Sequence, residues 1–224
     1  MRCLIEKIDQ PHSPEALLAQ LAGEPGILVL RSSALDRADG RFSFVLARPF
    51  LQFRSLGSRC DLSWSGGTDT QYGDPWRLIE SLVARYEVMD DIDLPFPLGG
   101  CFGYWGYELK NFVEPRLPRK ANKDLELPDC VVGFYDSLVV FDHQVGTTWV
   151  IATGLDQSGS RDSARAAGQL KVWVDHLSAS LTQHQTPELL RPSGIGEGIA
   201  VLPKTFPVET IEPDIVNRHS IVST

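Results

Sequence analysis

The 224-residue sequence predicts an α+β fold in which antiparallel β-sheets, packed in a sandwich-like way, are flanked by amphipathic helices. Three observations carry this. Short apolar or alternating runs bounded by Gly, Pro, Asp and Ser recur between residues 27 and 152, as strands and their turns do. Two segments, 75–87 and 160–181, space their aliphatic residues at 3 and 4, the period of a helix with one packed face. Residues 142–146, Asp-His-Gln-Val-Gly, separate two apolar runs as the turn of a hairpin does.

Taken in order, Ser13-Pro14-Glu15 is an N-cap with a first-turn proline, and Leu17, Leu18 and Leu21 precede Gly23, which predicts a helix over 14–22. Ile27-Leu28-Val29-Leu30 is uninterrupted and reads as a strand buried on both faces. Residues 41–46, 51–54 and 61–64 alternate apolar and polar, with Gly57 in a turn, and predict an antiparallel meander. Asp74-Pro75 starts the helix of 75–87, whose Leu78, Ile79, Leu82, Val83 and Tyr86 should lie against a sheet. In 99–107 four glycines among four aromatics demand bends or close backbone approach. Residues 131–135 and 138–141 form one long apolar strand that turns into 148–152. The last helix should pack through Ala167, Leu170, Val174, Leu177 and Leu181. From 185 to 224, five prolines and three glycines break every period, so the chain divides into a domain, 1–184, and an extended linker, 185–224.

Composition narrows the function. Hydrophobic residues make up 42%, with 10 Phe, 5 Trp and 5 Tyr, enough to build a core and to exclude global disorder. With 21 Lys and Arg against 29 Asp and Glu, the net charge of −8 argues against nucleic acid. No apolar run approaches the ~20 residues of a membrane span, so the expectation is a soluble, cytoplasmic protein with no membrane partner. The four cysteines, 3, 60, 101 and 130, show no Cys-x-x-Cys pair and read as buried, reduced thiols.

Few motifs carry chemistry. Gly100, Gly103 and Gly106 do not have the spacing of a dinucleotide fingerprint, and the five histidines show no zinc spacing. Asp142-His143 and Asp175-His176 are neighbours whose side chains point apart, so neither is a ready acid–base couple. Ser32-Ser33 after one strand and Arg41-Phe42-Ser43 at the start of the next can bring hydroxyls, a guanidinium and a ring together. Two readings of them stay open: an amino-acid pocket, or a serine-capped turn with Arg41 in solvent.

As a set, Leu30-Arg31-Ser32-Ser33, Gly40-Arg41-Phe42-Ser43-Phe44, Pro97-Leu98-Gly99-Gly100 with Gly103-Tyr104-Trp105-Gly106-Tyr107-Glu108, and Leu127-Pro128-Asp129 with Gly133-Phe134-Tyr135-Asp136 occur in one order. In this they resemble the N-terminal region of component I of aminodeoxychorismate synthase and of anthranilate synthase, over about 28–211. The resemblance implies an N-terminal scaffold with a tryptophan site between its sheets. Ser33 would match the pocket serine, and Gly40, Arg41 and Phe42 the neighbouring strand that lines the pocket. It implies a parent that aminates chorismate, with ammonia from a glutamine amidotransferase subunit and magnesium in a following catalytic domain.

No catalytic residue carries over, because the family's catalytic motifs have no counterpart here. The expectation is therefore a truncated chain that is not catalytic alone. The Gly-Phe-Tyr-Asp segment and the form of 97–108 are more like the aminodeoxychorismate branch, in folate biosynthesis. Arg31-Ser32 departs from the Leu-Glu that precedes the serine in anthranilate synthases. The alternatives are an anthranilate synthase component I N-terminal domain, in tryptophan biosynthesis, or a stand-alone module that binds an aromatic amino acid.

Overall fold

Two five-stranded antiparallel sheets form the frame. The computed structural model describes residues 2–10, 12–31, 40–117 and 127–183; Ser33 and the expected linker of 185–224 lie outside the described residues. In chain order the elements are β1 (Leu4–Ile8), α1 (Pro14–Gln20), β2 (Leu28–Arg31), β3 (Phe42–Leu46), β4 (Leu51–Leu56), β5 (Arg59–Trp64) and β6 (Gly67–Tyr72). There follow α2 (Pro75–Arg85), β7 (Gly100–Trp105), a 3-10 turn (Tyr107–Leu109) that runs into α3 (Lys110–Val113), β8 (Cys130–Tyr135), β9 (Ser137–Asp142), β10 (Thr147–Ala152) and α4 (Ser163–Gln183). The first sheet has the order β1-β10-β9-β3-β2 and the second β6-β5-β4-β8-β7.

Local chemistry explains the helix starts. The Ser13 side chain accepts from Ala16 N at 3.1 Å and Asp74 from Trp76 N at 2.9 Å, and in each case a proline takes the first helical position. Helix α2 packs Ile79, Leu78 and Leu82 onto the second sheet through Leu51, Phe53, Cys60, Cys130, Val132 and Phe134. Helices α1 and α4 cover the first sheet through Leu17, Leu21, Trp173 and Leu177 against Val45, Val139, Phe141 and Val150. A third cluster takes Leu46, Leu138, Val140 and Ile151 from the first sheet together with Phe96 and Tyr135.

The predicted meander is divided between the sheets. Strand β3 pairs with β2 and β9, whereas β4 pairs with β5 and β8. The crossing lies at Arg48, the one non-glycine with positive φ (56°) among the described residues, followed by Pro49. Arg48 N donates to Pro25 O at 2.8 Å, and a Cβ at Gly26 would lie 2.5 Å from Pro49 Cδ, so only glycine lets this crossing sit on the 25–26 turn. The long strand predicted over 131–141 crosses as well, as β8 and β9 with Asp136 between them.

Strand β2 is an edge strand, half-buried at Leu28 and Val29 and exposed at Leu30 and Arg31, so the expectation of burial on both faces is corrected. A continuous aliphatic run does not distinguish a central strand from an edge strand whose outer side is open. The buried stripe of α4 runs through Ala166, Trp173, Leu177 and Ser180, while Ala167 and Leu181 face out. Aliphatic counting gave no weight to Trp173, which is fully buried because its indole Nε1 donates to Ser137 Oγ at 3.0 Å. Strands β1 and β6 and helix α3 have too few apolar residues in period to be legible.

One buried ion pair ties the N-terminus to the start of α4. The Asp90 carboxylate accepts from Arg161 Nη1 at 2.9 Å and Nη2 at 2.7 Å and from Cys3 N at 2.7 Å, while Arg161 Nε donates to Thr153 O at 3.2 Å. The Arg161 guanidinium holds the Asp90 carboxyl well below the usual carboxylate range, against the opposing effect of burial.

Two outcomes are expected. Trp173→Ala should cost about 3–5 kcal/mol in urea denaturation, as for other buried aromatic truncations. Because Asp90 ionises more readily in the native state, its contribution is complete above the unfolded value of about 4 and is lost as pH falls through the lower native value. Asp90→Asn should therefore destabilise by about 3 kcal/mol at pH 7 and flatten the acid limb of a stability–pH curve.

Candidate functional site

The start of β3 collects the polar groups that the sequence placed together. Arg41 enters the sheet beside the end of β9, where its Nε donates to Asp142 Oδ1 at 3.1 Å and Oδ2 at 3.0 Å and its Nη2 to Oδ2 at 2.6 Å. The Asp142 carboxylate also accepts from Gln144 N at 3.1 Å and so fixes the β9–β10 turn. Burial pushes the Asp142 carboxyl up, but Arg41 and the turn N–H groups outweigh it, so its pKa lies below the ordinary value. The guanidinium stands over the Phe42 ring, 4.7 Å from the centroid. Gly40 is buried directly before this pair.

Phe42 points to the opposite side of β3 from Ser43, because neighbouring side chains in a strand alternate. Its ring meets Phe96 edge-on at 5.4 Å and Phe44 at 6.4 Å. Leu30 of β2 pairs with Phe44 and is 40% exposed, so Leu30, Phe42 and Phe44 make an apolar face that is half open at the sheet edge. Ser43 is fully buried and shares a hydrogen bond of 2.7 Å with His143 Nε2, while His143 N donates to Arg41 O at 2.9 Å.

Adjacent Asp142 and His143 thus hold different partners, Arg41 and Ser43. They do not form a couple with each other, as alternation requires. Burial, then the charge of Arg31, push the His143 imidazole below its ordinary pKa, with Asp142 pulling the other way. The ring is therefore neutral at pH 7. Its part in this cluster was not legible, because Ser43 and His143 are 100 residues apart and meet only through the β3–β9 pairing.

The geometry unites Gly40, Arg41 and Phe42, and Ser33 lies outside the described residues. What the cluster offers a ligand is a half-open aromatic face beside a guanidinium that Asp142 already engages. Two cavities, of about 580 and 320 Å³, lie elsewhere and include none of these three residues. Among the described residues there is no group of three or more His, Cys, Asp and Glu side chains that could hold a metal ion. No helix among them is long and apolar enough to cross a membrane.

Two antiparallel five-stranded sheets with helices packed on them make this an α+β protein. Comparison with known proteins goes further. Aminodeoxychorismate synthase component 1 of Klebsiella aerogenes is 32% identical over 137 residues, 60% of this chain and 30% of that protein. Its Escherichia coli (strain K12) counterpart is 31% identical over 140 residues, 62% and 30% of the two chains. Anthranilate synthase component 1 of Pseudomonas putida is 30% identical over 166 residues, 71% of this chain and 34% of that one. The crystal structure of anthranilate synthase component I from Streptococcus pneumoniae TIGR4 aligns with 79% of this chain and 35% of its own, at 21% identity and a TM-score of 0.48. No family model matches. The homologues of this chain are component I of aminodeoxychorismate synthase and of anthranilate synthase, and it spans about 30% of the length of the first of these relatives.

The neutral His143 has a consequence for stability. The unfolded chain takes up a proton at about pH 6.5, before the native ring does, so stability is complete above that value and declines as pH falls through the lower native one. In thermal melts from pH 8 to 5, the difference between wild type and His143→Gln should therefore narrow as the solution is acidified.

Proposed function

We propose that this chain serves as the N-terminal scaffold and ligand-binding part of an aminodeoxychorismate synthase component I, in folate biosynthesis. The homology over 137 residues to proteins of that name carries the reading. On this reading the amination of chorismate, and the magnesium it uses, belong to that part of the relatives' length which this chain does not span. On the same reading the chain alone makes no product, and a protein of the relatives' full length works with a glutamine amidotransferase subunit in the cytoplasm.

The ligand of the scaffold is an aromatic amino acid, with tryptophan as the first candidate. Phe42 and Phe44 supply the face for its ring, and Gly40 leaves room beside it. Ser33 bonds its polar end, and Arg41, oriented by Asp142, supplies positive charge for its carboxylate. Anthranilate synthase component I is the second reading, favoured by the greater share of this chain that two Pseudomonas proteins of that name match, 81% and 71%, against 60% for the Klebsiella protein.

Calorimetric titration of the 224-residue chain with L-tryptophan tests the site. Saturable binding is expected, lost in Ser33→Phe and weakened about tenfold or more in Phe42→Ala, the scale of a central aromatic contact. Binding that neither substitution alters would remove the pocket from this place. The product made from chorismate and ammonia by the full-length gene product decides between the two synthase readings.

A further inference from the structure

A cavity of about 580 Å³ lies between α2 and the start of β7 and falls within the range of small-molecule sites. Its floor is aromatic: Phe50, Tyr86 and Phe134, whose rings stack within 5.0–6.3 Å of one another. The Tyr86 hydroxyl donates to Gln157 O at 2.8 Å, so that ring meets the cavity as an apolar surface. On the β7 side the wall is Gly99-Gly100-Cys101. A Cβ at Gly99 would lie 2.9 Å from Tyr135 O and Gly100 has φ 132°, so these two positions stay glycine and add no side chain to the wall.

The charged residues of the lining are both acidic. Glu80 of α2 and Glu87, two residues past its end, are exposed side chains on the lining, as is Ala84, and Cys101 of β7 lines the cavity as well. No lysine, arginine or histidine lines the cavity. Arg85, the nearest cation along α2, is turned over the Tyr86 ring and donates to Ser158 O at 3.4 Å. An aromatic floor under two carboxylates complements a cation with an apolar body and disfavours an anion.

We propose that this cavity binds a primary amine carried on an aromatic ring system, with the ring on Phe50, Tyr86 and Phe134 and the ammonium at Glu80 and Glu87. The site is separate from the tryptophan site proposed at Phe42 and does not depend on it.

Cys101 provides the readout, being half-buried where Cys3, Cys60 and Cys130 are buried. The probes are tryptamine and, as its anionic counterpart, indole-3-propionate. The measurement is the rate at which N-ethylmaleimide modifies Cys101, followed by mass spectrometry. Tryptamine should slow modification in a saturable way, and indole-3-propionate should not. Glu80→Gln with Glu87→Gln, both surface positions, should weaken tryptamine about fivefold, the scale of two exposed ion pairs. Ala84→Trp should abolish protection. Phe42→Ala should leave it unchanged, which separates this site from the tryptophan site. Equal protection by both probes, or tryptamine protection that survives both Ala84→Trp and the double Gln variant, would overturn the proposal.

Discussion

The structure depends on one place where two strands change sheets side by side. The chain passes from β3 to β4 at Arg48-Pro49 and from β8 to β9 at Asp136, and Phe50 N donates to Phe134 O at 3.0 Å between the two passages. Around them Tyr135 donates its hydroxyl to Gly26 O at 2.7 Å, Gln169 bonds the buried Asp136, and the Arg48 guanidinium stacks 4.8 Å from the Trp173 ring. Each contact joins segments far apart in sequence. The positive φ of Arg48 costs conformational energy that this surrounding network offsets. Without the double crossing, β3 would run on into a single meander and neither sheet would have its observed neighbours.

The site follows from that topology. Because β3 leaves β4 and pairs with β9, Arg41 meets Asp142 and Ser43 meets His143. The same pairing turns Phe42 and Phe44 toward Phe96 and the cluster shared by the two sheets.

The sequence disclosed what short-range rules govern. Ser13-Pro14 and Asp74-Pro75 named their helices because capping and proline geometry act over four residues. The apolar periods of 75–87 and 131–141 named elements that each bury an apolar face. What it concealed is long-range: the division of the meander, the edge position of β2, the stripe of α4 centred on Trp173, and the pairing of Ser43 with His143. Strand pattern reports which residues want burial and is silent on which partner strand buries them. The Asp142 contact that occupies Arg41 is visible only in three dimensions.

Tyr135 stands between the two places argued to bind ligands. Tyr135 contributes to the lining of the cavity under α2, and its ring belongs to the inter-sheet cluster, 6.0 Å from Phe102. Burial pushes its phenol up to about 12, so the hydroxyl stays protonated and keeps its bond to Gly26 O across the working range. The wall between the sites is thus held by the crossing itself. The two spaces differ in chemistry: a half-open aromatic face beside a paired guanidinium on one side, an aromatic floor with Glu80 and Glu87 in its lining on the other.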